Sequence, residues 1–412
     1  MEKPGFVIGN IAKGKDLWDR GKLISDIWKA LKKTSVLLKA PRRFGKTTIM
    51  NNLYEYPKED FKVFFIDTEG MSSPEDLISK LLSETLSELR LLKTYKTAAE
   101  SVKRFLKVFE GIGITAPGMG DAEIRIKIRE SVEKDWQTKG SELITALRWL
   151  EDEIIFILDE LPVLVQYIEK KHGSSTAAQF LHWFRGIRQM PELSNIRWVV
   201  GGSIGIEHVL EKIGAGTQTI NDFQILNVGP FSEEDGKAYV KALLQNEGGI
   251  KRIANSTLEA ILELIGAPVP YFLQILTYES LNEMGRARKK TLNNVLIDKA
   301  YQEGVLGPAS RTYFEHYYSR LKDYYDKNTE QIAKHLLLEV ARQREAPRAE
   351  LFRLFKQISN GEMTDEAFSY LMTDLENDFY IAFDTSNASY RFTTNILRDW
   401  WLRHHDLMEA LN

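Results

Sequence analysis

Ser35-Val-Leu-Leu-Lys-Ala-Pro-Arg-Arg-Phe-Gly-Lys-Thr-Thr48 is the stretch on which the fold turns. Its first five residues make a short apolar run without apolar–polar alternation, as expected of a strand buried on both faces. Ala40–Thr48 then follows the pattern G-x-x-x-x-G-K-[ST], with alanine in the first glycine's place, and Ile49–Tyr54 reads as helix. Strand, loop and helix in that order build a phosphate cradle, because backbone N–H groups at a helix N-terminus bind phosphate oxygens and the macrodipole assists. Gly45 lets the backbone approach closely, Lys46 places a charge on β- and γ-phosphates, and Thr47 offers an oxygen to Mg²⁺. Ala40 fits if its φ is negative. The expected nucleotide contacts are Pro41, Arg42, Arg43, Phe44, Gly45, Lys46, Thr47 and Thr48. Without its flanks the same string also reads as a basic turn before a helix.

Outward from this stretch lie further runs of the same texture: Lys62–Asp67, Ile154–Asp159, Arg197–Gly201 and, more weakly, Gln224–Val228. Helical segments separate them, so residues 1–231 read as an α/β core around a parallel sheet. The run Ile154–Asp159 ends in two carboxylates, Asp159 and Glu160, at the strand edge where such sheets bind ligands. Asp159 is expected to hold Mg²⁺, directly or through water, and Glu160 to orient and polarise the water attacking a γ-phosphate. A solvated acidic turn is the plainer alternative. The next strand ends Gly201-Gly-Ser203, where Ser203 either senses the γ-phosphate or belongs to an ordinary turn. A charged insertion spans about residues 91–140. Its alternating Glu123–Arg129 suggests an edge strand or hairpin arm, with a mobile excursion as the alternative.

From Ser232 the pattern is helical. Ser232-Glu-Glu-Asp is a helix start, the hydroxyl capping and the carboxylates meeting the N-terminal dipole. Residues 232–327 read as a small helical domain broken at Gly266–Pro270 and Gly304–Pro308. Residues 328–412 give three helical stretches, a hairpin from Phe379–Phe383 and Ser389–Phe392, and a last amphipathic helix, Asn395–Ala410; helices followed by a hairpin suggest a winged helix. Trp400 and Trp401 read as core. Tyr313, Phe314, Tyr317 and Tyr318 read as an aromatic packing face. His404 and His405, with Asp399 and Asp406, resemble a metal cluster, although a solvated helix face is the simpler expectation.

Composition narrows the function. The 412 residues are 43% hydrophobic and 27% charged, ordinary for folded protein. No cysteine is present, which excludes disulfides and thiolate metal sites. A net charge of −3 argues against non-specific nucleic-acid binding by the whole molecule. No run approaches the ~20 apolar residues of a membrane span, and the N-terminus lacks a signal-peptide pattern. The cytosol is the expected compartment.

Together these motifs resemble the prokaryotic AAA-like, archaeal-type predicted ATPases, which stand near the signal-transduction ATPases with numerous domains. Ala40–Thr48 resembles that family's Pro-Arg-Arg phosphate loop, Phe65–Asp67 with Ser73–Leu77 its second strand and helix, Asp159–Pro162 its acidic strand end, and Gly201–Gly205 its sensor strand. Phe6-Val-Ile8-Gly9-Asn10 sits where relatives carry an apolar-Gly-Arg element beside the adenine, with Asn10 departing from the arginine. Gly266–Leu273 resembles the Gly-x-Pro element of a lid, matching at either Pro268 or Pro270. The resemblance implies an α/β, parallel-sheet P-loop ATPase core with a helical lid and a C-terminal winged helix, using ATP and Mg²⁺. It also implies adenine-side contacts from Ile8, Gly9, Pro268 and Pro270. In AAA-type rings an arginine near the end of the helix Ala177–Gln189 reaches a neighbour's γ-phosphate. Arg185 and Arg188 stand there, and Arg188 is the expected catalytic group; complementing the helix dipole is the alternative role. Base choice rests on the resemblance, since no guanine-reading Asn/Thr-Lys-x-Asp string follows the strands. The expected role is a nucleotide switch that contacts a partner protein or a second copy. A DNA-binding regulator is the alternative, which the acidic Thr364–Leu375 disfavours.

Overall fold

A computed structural model describes residues 4–58, 61–91, 100–114, 119–150, 152–202 and 205–409. Five parallel strands form the main sheet: β1 (Val36–Lys39), β2 (Phe61–Asp67), β3 (Glu153–Asp159), β4 (Ile196–Gly202) and β5 (Gln224–Asn227). Their order is β2-β3-β4-β1-β5. The three internal strands are those whose sequences are most continuously apolar. Ile154 through Leu158 are all essentially buried, as are Val36, Leu37 and Leu38. β5 is an edge strand and largely exposed, which explains its weaker signal. The register sets Asp67, Asp159, Gly201 and Leu38 side by side across the carboxyl end of the sheet.

The chain divides into two compact units. One holds Arg20–Ala40 and Lys46–Val228, with the sheet and its helices. The other holds the segment ending at Asp19, the short Pro41–Gly45, and everything from Gly229 onward. The N-terminal segment and Pro41–Gly45 therefore group with the C-terminal helices.

The insertion corrects the sequence reading in part. Glu123–Arg129 lies within the helix Asp121–Val132, which buries Ile124, Ile128 and Val132 and leaves Ile126 exposed. The fourfold spacing of the buried residues puts them on one helix face, and that burial outweighs the local alternation. The stretch 111–120 lies partly outside the described residues. Among the described residues, no helix is long and apolar enough to cross a membrane.

In the second unit, helices Glu233–Asn246, Asn255–Ile265 and Pro270–Arg286 come first. The Ser232 hydroxyl accepts from the Asp235 N–H at 3.0 Å, the cap read from the sequence. Helices Lys327–Gln343, Arg348–Ile358 and Asp365–Asn377 follow, then a small antiparallel sheet of β6 (Ala346–Pro347), β7 (Ile381–Asp384) and β8 (Ser389–Phe392), ordered β6-β8-β7. The last helix is Asn395–Glu409. Trp400 and Trp401 are fully buried, and Phe314, Tyr317 and Tyr318 pack on Trp400, Tyr380 and Trp401 respectively, forming the expected aromatic face. Gly266, at φ +81, lies where an added Cβ would come within 2.9 Å of the Asn395 nitrogen, so its freedom serves close packing against the last helix.

Candidate active site

The loop after β1 runs into the helix Lys46–Glu55, whose first turn carries Lys46 and Thr47. Ala40 has no positive φ, as its place in the pattern requires, whereas Arg43 and Gly45 are left-handed at φ 72 and 88. A non-glycine residue in that region costs about 1 kcal/mol or more. Left-handed residues alternating with ordinary ones are the backbone pattern from which anion-binding nests are built.

Lys46 and Asp159 are both buried and joined as an ion pair through Nζ and Oδ1. Lys46 Nζ also lies 3.4 Å from Glu160 Oε1. The Thr47 hydroxyl donates to Asp159 Oδ2 at 2.7 Å. Asp159 itself is held by its main chain: its carbonyl accepts from the Thr68 hydroxyl at 2.7 Å and from the Thr68 N–H at 3.1 Å. Glu160 follows in a left-handed turn, φ 63 and ψ 31, at the N-terminus of the helix Leu161–His172. That turn places its carboxylate beside Lys46 and not along the strand.

A requirement invisible in the sequence pattern emerges from the strand order. β4 lies between β1, which delivers the loop, and β3, which delivers Asp159, so Lys46 reaches Asp159 across the end of β4. A Cβ on Gly201 would lie 2.8 Å from Lys46 Cδ and 2.7 Å from Met50 Cε. A Cβ on Gly202 would lie 2.5 Å from Pro162 Cδ. Gly201 and Gly202 thus leave room for the lysine and for the turn after Asp159. The sequence singled out this strand end for Ser203, which lies outside the described residues.

The remaining candidates fall elsewhere. Arg188, the expected catalytic arginine, is buried in an ion pair. Its side chain is 1% exposed, its Nε and Nη2 bind the two Asp222 oxygens at 2.9 and 2.8 Å, and Nη2 also reaches the Thr219 carbonyl at 2.6 Å. The guanidinium also lies over the Phe184 and Phe223 rings at 4.4 and 4.3 Å. Buried and bound to Asp222 through Nε and Nη2, its side chain serves as an internal ion pair. Arg185 Nη2 lies 3.4 Å from Asn221 Oδ1.

Pro41–Gly45 belongs to the other compact unit. There the Arg42 carbonyl accepts from the Tyr317 hydroxyl at 3.2 Å, Arg43 lies 4.7 Å over the Tyr271 ring, and Phe44 meets Phe379 edge-on at 4.6 Å. A Cβ on Gly9 would lie 4.0 Å from Arg43 Nη1, and the preceding Val7–Ile8 segment is pinned by Gln274, whose Oε1 accepts from the Val7 N–H at 2.7 Å. The Pro268 carbonyl accepts from the Phe231 N–H, and Pro270 opens its helix. Among the described residues no cluster of three or more His, Asp or Glu side chains is placed to hold a metal. His405 instead stacks on Tyr318 at 3.6 Å.

For Mg²⁺, the Thr47 hydroxyl and the Asp159 carboxylate present adjacent hard oxygens, and this cation commonly takes only one or two protein ligands beside phosphate and water. The donor set fits.

No family model matches the sequence, and no curated protein matches it. Solved structures do resemble the fold. The Walker-type ATPase PABY2304 of Pyrococcus abyssi superposes with a TM-score of 0.57 at 17% identity, covering 95% of this chain and 97% of that one. The Aeropyrum pernix ORC2 protein, in ADPNP–ADP complexes, superposes with a TM-score of 0.54 at 11% identity, covering 95% of this chain and 94% of that one. At these identities the likeness establishes the fold alone, an α/β fold around a parallel sheet with a phosphate loop.

Proposed function

We propose that this chain binds Mg·ATP and hydrolyses it, acting as a slow molecular switch read by a partner protein. The observation that carries the reading is the convergence of Lys46, Thr47, Asp159 and Glu160 at the carboxyl ends of β1 and β3. When phosphate enters the nest, the Lys46 ammonium exchanges the Asp159 carboxylate for β- and γ-phosphate oxygens. Thr47 and Asp159 are the residues that would hold Mg²⁺, which when bound neutralises charge on the phosphates. Glu160 orients a water in line with the γ-phosphorus and takes its proton as the new P–O bond forms. The bond to the β–γ bridging oxygen breaks, leaving ADP and phosphate. Ser203 keeps its place as the expected γ-phosphate sensor, and Ile8, Gly9, Pro268 and Pro270 as the adenine side. The helical lid at 232–327 and the winged helix at 328–412 answer to nucleotide state, since γ-phosphate contacts differ before and after hydrolysis.

Two substitutions test this. Lys46→Ala should abolish Mg·ATP binding in a calorimetric titration of the folded variant. Glu160→Gln should keep binding while slowing turnover by about 10²-fold, the scale of losing a positioned base. Unchanged affinity in the first variant, or wild-type turnover in the second, refutes the assignment.

The partner is read as protein and not DNA. The exposed face of the helix Asp365–Asn377 carries Asp365, Glu366, Ser369, Tyr370 and Thr373, with no cation. Acidic groups there repel phosphate, whereas DNA binding needs cations and shows a steep salt slope. Retention on DNA that falls steeply between two salt concentrations would favour the regulator reading instead.

A further inference from the structure

Arg43 presents a problem that its own sequence neighbourhood does not solve. The nest needs a left-handed residue there, and arginine at φ 72 is disfavoured where glycine would be free. Three contacts bracket it. The Tyr317 hydroxyl donates to the Arg42 carbonyl at 3.2 Å, on the peptide that enters Arg43. The Arg43 guanidinium lies 4.7 Å over the Tyr271 ring. Phe44, on the far side, is 1% exposed and packs edge-on against Phe379 with ring centroids 4.6 Å apart.

The gripping residues are themselves held. The Tyr380 hydroxyl donates to the Tyr317 carbonyl at 2.6 Å, and the Thr393 hydroxyl donates to the Phe379 carbonyl at 2.6 Å. Asp378, next to Phe379, accepts from the buried Arg320 at 2.8 Å. Burial raises the Tyr317 phenol above its ordinary value, so it stays a hydrogen-bond donor throughout the physiological range.

We propose that Tyr317 and Phe379 are positioning residues for the phosphate loop, holding Arg42–Phe44 in the conformation that receives phosphate, so that nucleotide affinity is set from the C-terminal part of the chain. The proposal rests on the nucleotide reading above and assigns its control. A loop that relaxes to negative φ at Arg43 turns its N–H groups away from a common point. Contacts that land on the flanking residues remove that option before the ligand arrives, so binding does not have to supply the ordering. Linkage makes the effect reciprocal: bound nucleotide strengthens the hold on Tyr317 and Phe379, and anything that pulls these two residues away loosens the nucleotide.

The test is Mg·ATP titration calorimetry and steady-state hydrolysis on the full chain. Tyr317→Phe removes a single oxygen. It should weaken binding by about 3- to 10-fold, the usual range for one hydrogen bond, and raise KM equally while kcat and the thermal midpoint stay near wild type. Phe379→Leu should act in the same direction. The penalty of Tyr317→Phe should fall below about twofold in an Arg43→Gly background, because glycine adopts the left-handed conformation without help. Wild-type affinity in folded Tyr317→Phe and Phe379→Leu overturns the proposal and leaves the nucleotide reading intact. An equal penalty in both backgrounds overturns it as well, since the contact would then not act through Arg43. Absence of ATP binding by the wild-type chain removes the nucleotide reading and this proposal together.

Discussion

Lys46 and Asp159 are 113 positions apart, yet they meet as a buried pair because β1 and β3 flank β4 with their carboxyl ends in register. Both were legible as candidates from local pattern alone, one from the loop and one from the acidic strand end. Gly201 was not, because its purpose is to leave a passage for a side chain arriving from another strand. Gly201→Ala should displace Lys46 and lower turnover by about 10²-fold, the cost of a misplacement near 1 Å. Measured hydrolysis with unchanged circular dichroism checks it. Arg188 shows the converse: position on a helix suggested reach, whereas tertiary packing buries the side chain against Asp222. Arg188→Ala should lower stability by about 3–5 kcal/mol in urea, as expected when a buried pair loses one partner. Mixed with Glu160→Gln, it should recover no activity, whatever the protein concentration.

At the scale of elements, strands buried on both faces were the most readable, since short, continuous apolar runs have few other uses. Glu123–Arg129 was left open between an edge strand or hairpin arm and a mobile excursion because isoleucines at 124, 126 and 128 alternate, while the burial that makes it helix selects 124, 128 and 132. β6 escaped notice: two residues including a proline carry no periodicity, and only pairing with β8 defines them. The turn before β7 depends on Arg320 and Asp378, which are 4% and 7% exposed. Asp378→Ala should cost about 3–5 kcal/mol by leaving a guanidinium buried without its carboxylate. Pairing Asp378→Leu with Arg320→Met should return part of that loss, and chemical denaturation of the three variants decides it.

At the scale of the whole molecule, the His316 and His405 imidazoles are held neutral by their surroundings. Burial, reinforced by Arg43, Arg42 and Arg320, pushes His316 down to about 3, and burial pushes His405 down to about 4. Both lie below the unfolded value near 6.5, so the unfolded chain binds protons that the folded chain refuses. Their contribution to stability is full above about pH 6.5 and is lost as pH falls toward 4 and 3. His405→Phe, which keeps the stack on Tyr318, should narrow the gap between thermal midpoints at pH 7 and pH 4.5; an unchanged gap would place the acid sensitivity elsewhere. The chain also passes between its two compact units after Asp19, Ala40, Gly45 and Val228, so the units do not follow contiguous sequence. By itself the sequence determined the parallel sheet, the phosphate loop, the acidic strand end and the aromatic face, because each is a short-range pattern of residue types. Tertiary structure alone decided that Gly201 must be glycine, that Arg188 is spent on Asp222, and that Arg42–Phe44 is gripped by Tyr317, Tyr271 and Phe379. Those outcomes depend on which distant side chains arrive at a given point, and no local periodicity encodes an arrival.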